Sequence, residues 1–346
     1  MSLNMTHKER MLAALAGAPV DRVPVFSANQ TATYGQMDVS GAEWPEAHQK
    51  AGPMAKLAMA AHTALGFDAV RVPYCQTMES EALGCGVKYA GREGIPRIDV
   101  HAYHIGDPIS LPDDFLERGR IPELLEAVRI LKRELGDEVA VMGNVVGPFS
   151  IVANLIGITE ALKASFKKPE SLLPLLEVAE QAGTVLGRAL VDAGADIIVI
   201  EDMMASIDVI SPPIYRDVAQ QPEARQVAAL SDVPTIMHIC GKLNPIISDV
   251  AATGVSGISV EPTVDAVAAR AVLRELPRHV ALIGGVDAVE TLYSGTPEDV
   301  KRDVRKALAD GYDLIAPGCS VPPSAEMANL KAMVEAAEES RAPQPA

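Results

Sequence analysis

Short runs of β-branched and other apolar residues recur along this 346-residue chain. Longer stretches, in which apolar positions return every three or four residues, separate them. The runs are Val23–Phe26, Ala69–Tyr74, Val139–Asn144, Asp196–Glu201, Thr235–Cys240, Gly257–Glu261, Ala281–Gly285 and Asp313–Ala316. "DIIVIED" and "VALIGGVD" are apolar almost throughout, as strands covered on both faces of a parallel sheet must be. Helical spacing covers Pro122–Leu135, Pro169–Ala193, Pro245–Ala252, Val264–Glu275 and Thr296–Ala309. In "TPED", Thr296 supplies a cap and Pro297 the first helical position, with acids in the first turn.

Strand and helix alternating in this way predict one α/β catalytic domain over residues 1–346, a (β/α)8 TIM barrel whose chemistry sits at the carboxyl ends of its strands. Residues 1–22 form an N-terminal helical segment. Ala28–Gly66 exceeds the needs of a minimal barrel, and so does an insertion at residues 81–118 after the second strand. That insertion is expected to form a hairpin and an irregular loop over the mouth. The "RAPQPA" tail, residues 341–346, is expected to fray.

Composition narrows the possible partners. A 48% hydrophobic content supports a large core, and a net charge of −16 disfavours nucleic acid and anionic membrane surfaces. The four cysteines, Cys75, Cys85, Cys240 and Cys319, do not make a secreted disulfide framework, and no charged-then-apolar leader precedes the first helix. A reducing cytoplasm is the expected location. Val139–Ile158 is broken by Gly143, Asn144, Gly147, Pro148 and Asn154, so membrane insertion is not expected.

The candidate chemistry lies at strand ends. His238 and Cys240 in "MHICG" are two apart and project to one face of a strand. Cys319 in "APGCS" follows a second strand stopping at a turn. Structural zinc usually takes four protein ligands, whereas three leave a position for water or substrate. Taken alone, His238 and Cys240 read equally well as a buried imidazole and a buried small thiol; Cys319 shifts the balance toward metal. Glu261 in "GISVEP" reads as a displaceable fourth ligand, an acceptor for the imidazole, or a solvated carboxylate. Glu201 and Asp202 close the fourth strand and read as substrate-binding acids at the mouth or as salt-bridge partners of a loop arginine; Asp287, after Gly284 and Gly285, reads as a substrate-binding group or part of an ordinary turn. Asn29, Tyr74 and Asn144 sit at or just past the first three strand ends as candidate pocket groups. His62, His101 and His104 have no partner at metal spacing, and Cys75 and Cys85 read as packing residues.

"KERMLAALAGAPVDRVPVF", "HICG", "GISVEP", "GTPEDVKRDV" and "GYDLIAPGCSVPP" resemble the uroporphyrinogen decarboxylase superfamily, and within it the methylcobamide:coenzyme M methyltransferases. The resemblance runs from about Thr6 to the final helix. It implies a TIM barrel that moves a methyl group from a methylated corrinoid, a methylcobalamin-type donor carried on a partner protein, to the thiol of coenzyme M. It also implies Zn2+ bound by His238, Cys240 and Cys319, with Glu261 an acidic residue near the metal. The decarboxylase branch fits poorly, since "SANQTATYGQ" stands where an arginine-bearing segment is expected and Cys75 replaces an expected aspartate. A corrinoid or folate methyltransferase with another acceptor, and a decarboxylase-like protein, catalytic or not, are the alternatives. Arg71 is a candidate for the sulfonate of coenzyme M, although its alternation with Val70 and Val72 points it away from the site.

Overall fold

In the computed structural model the described residues are 4–340, so the "RAPQPA" tail and the first three residues lie outside them. The strands are β1 (Ala69–Val72), β2 (Gly86–Lys88), β3 (Arg97–Val100), β4 (Ala140–Val146), β5 (Ile197–Glu201), β6 (Thr235–His238), β7 (Gly257–Ser259), β8 (Ala281–Val286) and β9 (Leu314–Pro317). Seven form one parallel sheet in the order β1-β4-β5-β6-β7-β8-β9, and β2 and β3 pair as a separate hairpin. This is the expected TIM-like α/β architecture with its hairpin insertion.

The first expected strand, Val23–Phe26, is the exception. It makes only one bridge, Val25 with Ile315. The cause is local: Pro24 has no N–H to donate, and the Val25 N–H goes to the Asp68 carboxylate at 2.7 Å rather than to a neighbouring strand. The segment still bonds to both sheet edges. Phe26 N donates to Ile315 O at 3.1 Å, Ile315 N to Pro24 O at 3.0 Å, and Asp68 N to Val25 O at 2.7 Å.

Alternation along the strands divides the apolar residues between two cores. Ala69, Met142, Val199, Ile236, Ile283 and Ala316 point into the lumen, where Met11, Ala14 and Leu15 of the N-terminal helix join them. Val70, Val72, Ile198, Met237, Ile258 and Ile315 face the surrounding helices. The N-terminal helix, His7–Leu15, starts with a Thr6–Glu9 capping box. Below the lumen, wholly buried Asp68 accepts hydrogen bonds from His7, Arg10, Arg22 and the Val25 N–H at 2.7–2.9 Å. Burial alone would raise its pKa; hydrogen bonds from His7 and Arg22 and the charge of Arg22 outweigh this and hold the carboxyl below its ordinary range.

Elsewhere the structure refines the expected elements. The stretch Val139–Ile158 resolves into β4 and the helix Pro148–Ile156, and no single helix among the described residues is long and apolar enough to cross a membrane. Pro169–Ala193 divides into a 3-10 turn at Pro169–Leu172 and a helix at Leu173–Ala193. Thr296 caps Pro297–Asp310 as its sequence indicated, with Asp299 closing the box. The insertion lies against Pro148–Ile156, with the Tyr103 N–H donating to Leu155 O at 3.1 Å and the His101 ring 2.8 Å from Asn154 O.

Candidate metal centre

His238 is the last residue of β6, and its neighbours in register are Glu201 on β5 and Ser259 on β7. Its Nδ1 lies 3.1 Å from Ser259 Oγ, which leaves Nε2 facing Cys240 Sγ at 3.4 Å. Cys319, two residues beyond β9, completes the group: the three candidate ligand atoms lie within 4.8 Å of one another. Gly241, at φ 82°, turns the chain immediately after Cys240. On the other side, a Cβ at Gly318 would lie 2.5 Å from Pro262 Cδ and 3.1 Å from Glu261 Cα. The missing side chain there lets the Cys319 turn lie against the Glu261 segment.

The electrostatics of this group suit a cation. A hydrogen bond from Cys240, reinforced by His238, holds the Cys319 thiol low, at about 4. Cys240 is pushed up in turn by its hydrogen bond to Cys319, by burial and by the charges of Cys319, Glu261 and Glu201. The two sulfurs therefore share one proton, and a second ionisation is costly until positive charge arrives. Glu261 is also raised, by burial and then by the charge of Cys319. Two sulfurs and an imidazole nitrogen, crowded by carboxylate charge, match the donor preferences of zinc.

A layer of polar side chains borders the centre within the lumen. Glu201 is wholly buried, and one of its oxygens accepts from Gln30 at 3.0 Å and Gln76 at 2.8 Å and pairs with Arg71 at 2.9 Å. Arg71 thus points inward, contrary to expectation, because Ala69 and Arg71 share the lumen face while Val70 and Val72 take the outer one. Gln30 accepts from Ser320 Oγ at 2.5 Å and so ties this layer to the residue after Cys319. Asn29 and Asn144 are both buried, with unpartnered amide atoms.

Other expected site residues are turned elsewhere. Asp202 accepts from the Phe149 and Ser150 N–H groups and from Ser150 Oγ at 2.7–3.0 Å, so its oxygens serve the start of Pro148–Ile156 rather than the mouth. The Tyr74 hydroxyl donates to Met54 O at 3.2 Å. Asp287 accepts from the Val289 and Glu290 N–H groups and lines an outer groove with Lys306 and Tyr312. Cys75 and Cys85 are buried and unbridged.

Ser259, Gln30 and Gln76 were not legible as site residues. Ser259 alone carried a signal, standing two positions before Glu261 and so on the same strand face. Glu79 was also passed over: burial raises its pKa to about 7 while Oε1 accepts the Val146 N–H at 2.7 Å.

An imidazole and two thiols converging at strand ends of a TIM-like barrel form a group that could hold a metal ion. The chain belongs to the uroporphyrinogen decarboxylase (URO-D) family, whose sequence pattern matches residues 6–340. It is 39% identical to the methylcobamide:CoM methyltransferase MtaA of Methanosarcina barkeri over 336 residues, 96% of this chain and 98% of that protein. Identity to MtbA of Methanosarcina acetivorans is also 39%, over 96% of this chain and 98% of the relative. A solved methyltransferase from Methanosarcina mazei superposes with a TM-score of 0.92 at 39% identity, covering 97% of this chain and 99% of that one. The expected family and its methyltransferase type are both borne out.

Proposed function

We propose that the protein transfers a methyl group from a methylated corrinoid, delivered on a partner protein, to the thiol of coenzyme M. The observation that carries this reading is the convergence of His238, Cys240 and Cys319 within 4.8 Å, in a chain similar along its length to MtaA and MtbA. These three residues would hold zinc, with one position left open. Zinc bound there would keep the acceptor thiol deprotonated at neutral pH.

The chain's own residues supply orientation and charge. Ser259 fixes the ring of His238 so that Nε2 faces the sulfurs. Cys240 and Cys319 bring negative charge, which favours a nucleophilic sulfur over a purely electrophilic metal. Glu261, at the same corner, is placed to receive the thiol proton and pass it to solvent. The acceptor sulfur forms a bond to the methyl carbon as the cobalt–carbon bond breaks, and both electrons of that bond stay on cobalt. The hairpin β2–β3 beside the mouth is the proposed landing for the corrinoid carrier.

The test is demethylation of methylcobalamin followed by absorbance, with coenzyme M as acceptor and zinc content measured in parallel. Wild type is expected to be active with one zinc per chain, and Cys240→Ser to lose both together. Turnover that persists after zinc is removed overturns the mechanism.

A further inference from the structure

The turn between the helices Pro148–Ile156 and Ile158–Lys167 opens a groove that the chemistry described above does not use. The chain bends there by 117°, and Gly157 makes the turn at φ 91°. The β2–β3 insertion forms the opposite wall, where the His101 ring packs on the turn, 3.3 Å from the place a Cβ at Gly157 would take. Ile98 and His101 on that side, with Ile156, Ile158 and Lys163 on the other, border an open space of about 680 Å3. Large apolar side chains stand bare around it. Ile158 is 54% exposed, Val100, next to His101 in the chain, 60%, and Phe166, one turn beyond Lys163 on the same helix face, 77%. Apolar side chains exposed together around a groove mark an interaction surface.

Charge sets this face apart from the rest of the chain. Net charge is −16, yet residues 86–104 and 158–168 together carry six lysines and arginines against three acids. Lys88 and Arg97 stand directly opposite each other in the antiparallel register of the hairpin, where like charges repel. The hairpin's ion pairs, to Asp38 and Glu43, belong to Arg92 instead. Among the described residues Lys88, Arg97 and Lys163 are exposed and have no acidic partner. The groove is also joined to the candidate metal centre by three hydrogen bonds. His101 Nδ1 lies 2.8 Å from Asn154 O, Asn154 Nδ2 donates to Gln76 O at 3.1 Å, and Gln76 Nε2 donates at 2.8 Å to Glu201, the register neighbour of His238.

We propose that this groove seats an acidic surface of the corrinoid carrier, with Ile158 and Phe166 as the apolar contacts and Lys163 and Arg97 as the charged ones. The inference rests on the corrinoid-donor reading above and can fail separately from it. The complementary surface is an apolar patch flanked by carboxylates, and seating it relieves the repulsion between Lys88 and Arg97. A second copy of this chain is the other acidic candidate. The hydrogen-bonded route toward His238 favours the carrier, whose corrinoid must reach that end of the barrel.

The test compares two methyl donors, free methylcobalamin and a purified methylated corrinoid protein, with coenzyme M in excess. In wild type the KM for the corrinoid protein should rise with ionic strength, and that for methylcobalamin should not. Lys163→Glu and Phe166→Ala change exposed side chains and are expected to fold. Each should raise the KM for the corrinoid protein by about 10-fold while turnover of methylcobalamin stays within about twofold of wild type. Binding of the corrinoid protein, followed by calorimetry, should weaken by the same factor. The docking surface is overturned if wild type does not bind the corrinoid protein, or if both variants bind it and turn it over as wild type does. It is equally overturned if sedimentation shows that the substitutions disrupt only association between copies of this chain. Binding of the corrinoid protein that depends on Lys163, in a protein that demethylates neither donor, would sink the methyl-transfer reading and keep the docking surface.

Discussion

Replacing Gly318 by alanine tests whether the metal centre depends on the close packing of two strand ends. The new Cβ would meet Pro262 Cδ at 2.5 Å and Glu261 Cα at 3.1 Å, a ring carbon and a backbone atom that cannot swing aside. Reaching ordinary van der Waals separation needs a parting of roughly 0.9 Å, and overpacking of this kind costs about 1–3 kcal/mol. Cys319 is the next residue and moves with Gly318. Metal–ligand distances tolerate only about ±0.2 Å, so the shift takes Cys319 Sγ out of reach of an ion held by His238 and Cys240. Zinc affinity, read by competition with a chromophoric chelator, is expected to fall at least ~10-fold, and methylcobalamin demethylation by ~100-fold. Far-ultraviolet circular dichroism should be unchanged, since helix content does not depend on this turn. The double variant Gly318→Ala/Pro262→Ala removes the nearer obstacle and should recover part of the loss, giving a positive coupling between the two sites. Wild-type zinc affinity and turnover in Gly318→Ala would refute the reasoning.

Ser259→Ala removes the hydrogen-bond partner that His238 Nδ1 has among the described residues and is expected to lower zinc affinity about 10- to 100-fold, measured in the same competition assay. Glu79 gives a pH signature. Its folded pKa is raised to about 7 from 4.5, so the folded state binds more protons than the unfolded state between those values, and stability falls as pH rises through that window. Glu79→Gln should therefore stabilise the protein at pH 8 by on the order of 2–3 kcal/mol, with the gain vanishing below about pH 4.5 in urea melts. A pH-independent difference would show that the carboxyl is not protonated on folding. Asp68→Asn should destabilise by about 3–5 kcal/mol at pH 7, because Arg22 would be left buried without its charge partner and Arg10 would keep only Asp21; a change below 1 kcal/mol would remove Asp68 from that role.

Much of the fold was readable because strands covered on both sides must be apolar at nearly every position, which marked seven of the eight runs. Val23–Phe26 looks equally apolar, but its ladder is broken by Pro24 and by a carboxylate more than forty residues away, which no local pattern reveals. The candidate ligands were legible for a simple reason: a spacing of two at a strand end and a stop at glycine are local facts. Arg71 was misdirected because alternation fixes which residues share a face but not which face looks inward. Asp202 shows the same limit, since an acid at a strand end can serve a neighbouring helix start as readily as a pocket. Orphaned amides such as those of Asn144 exist only once the lumen is assembled.

The Asp68 contacts have a kinetic consequence. Where an ordinary barrel is sealed by a continuous ladder, this one is joined along Pro24–Phe26 by a few backbone bonds and one carboxylate gripped by side chains from the N-terminal helix. Opening there breaks only a few backbone bonds, so the amides of Val25 and Phe26 should exchange with solvent through a local event, well before those of β5 or β6. Protonating Asp68 would speed that event first. Deuterium uptake at these amides reports the strength of the closure separately from the stability of the whole domain.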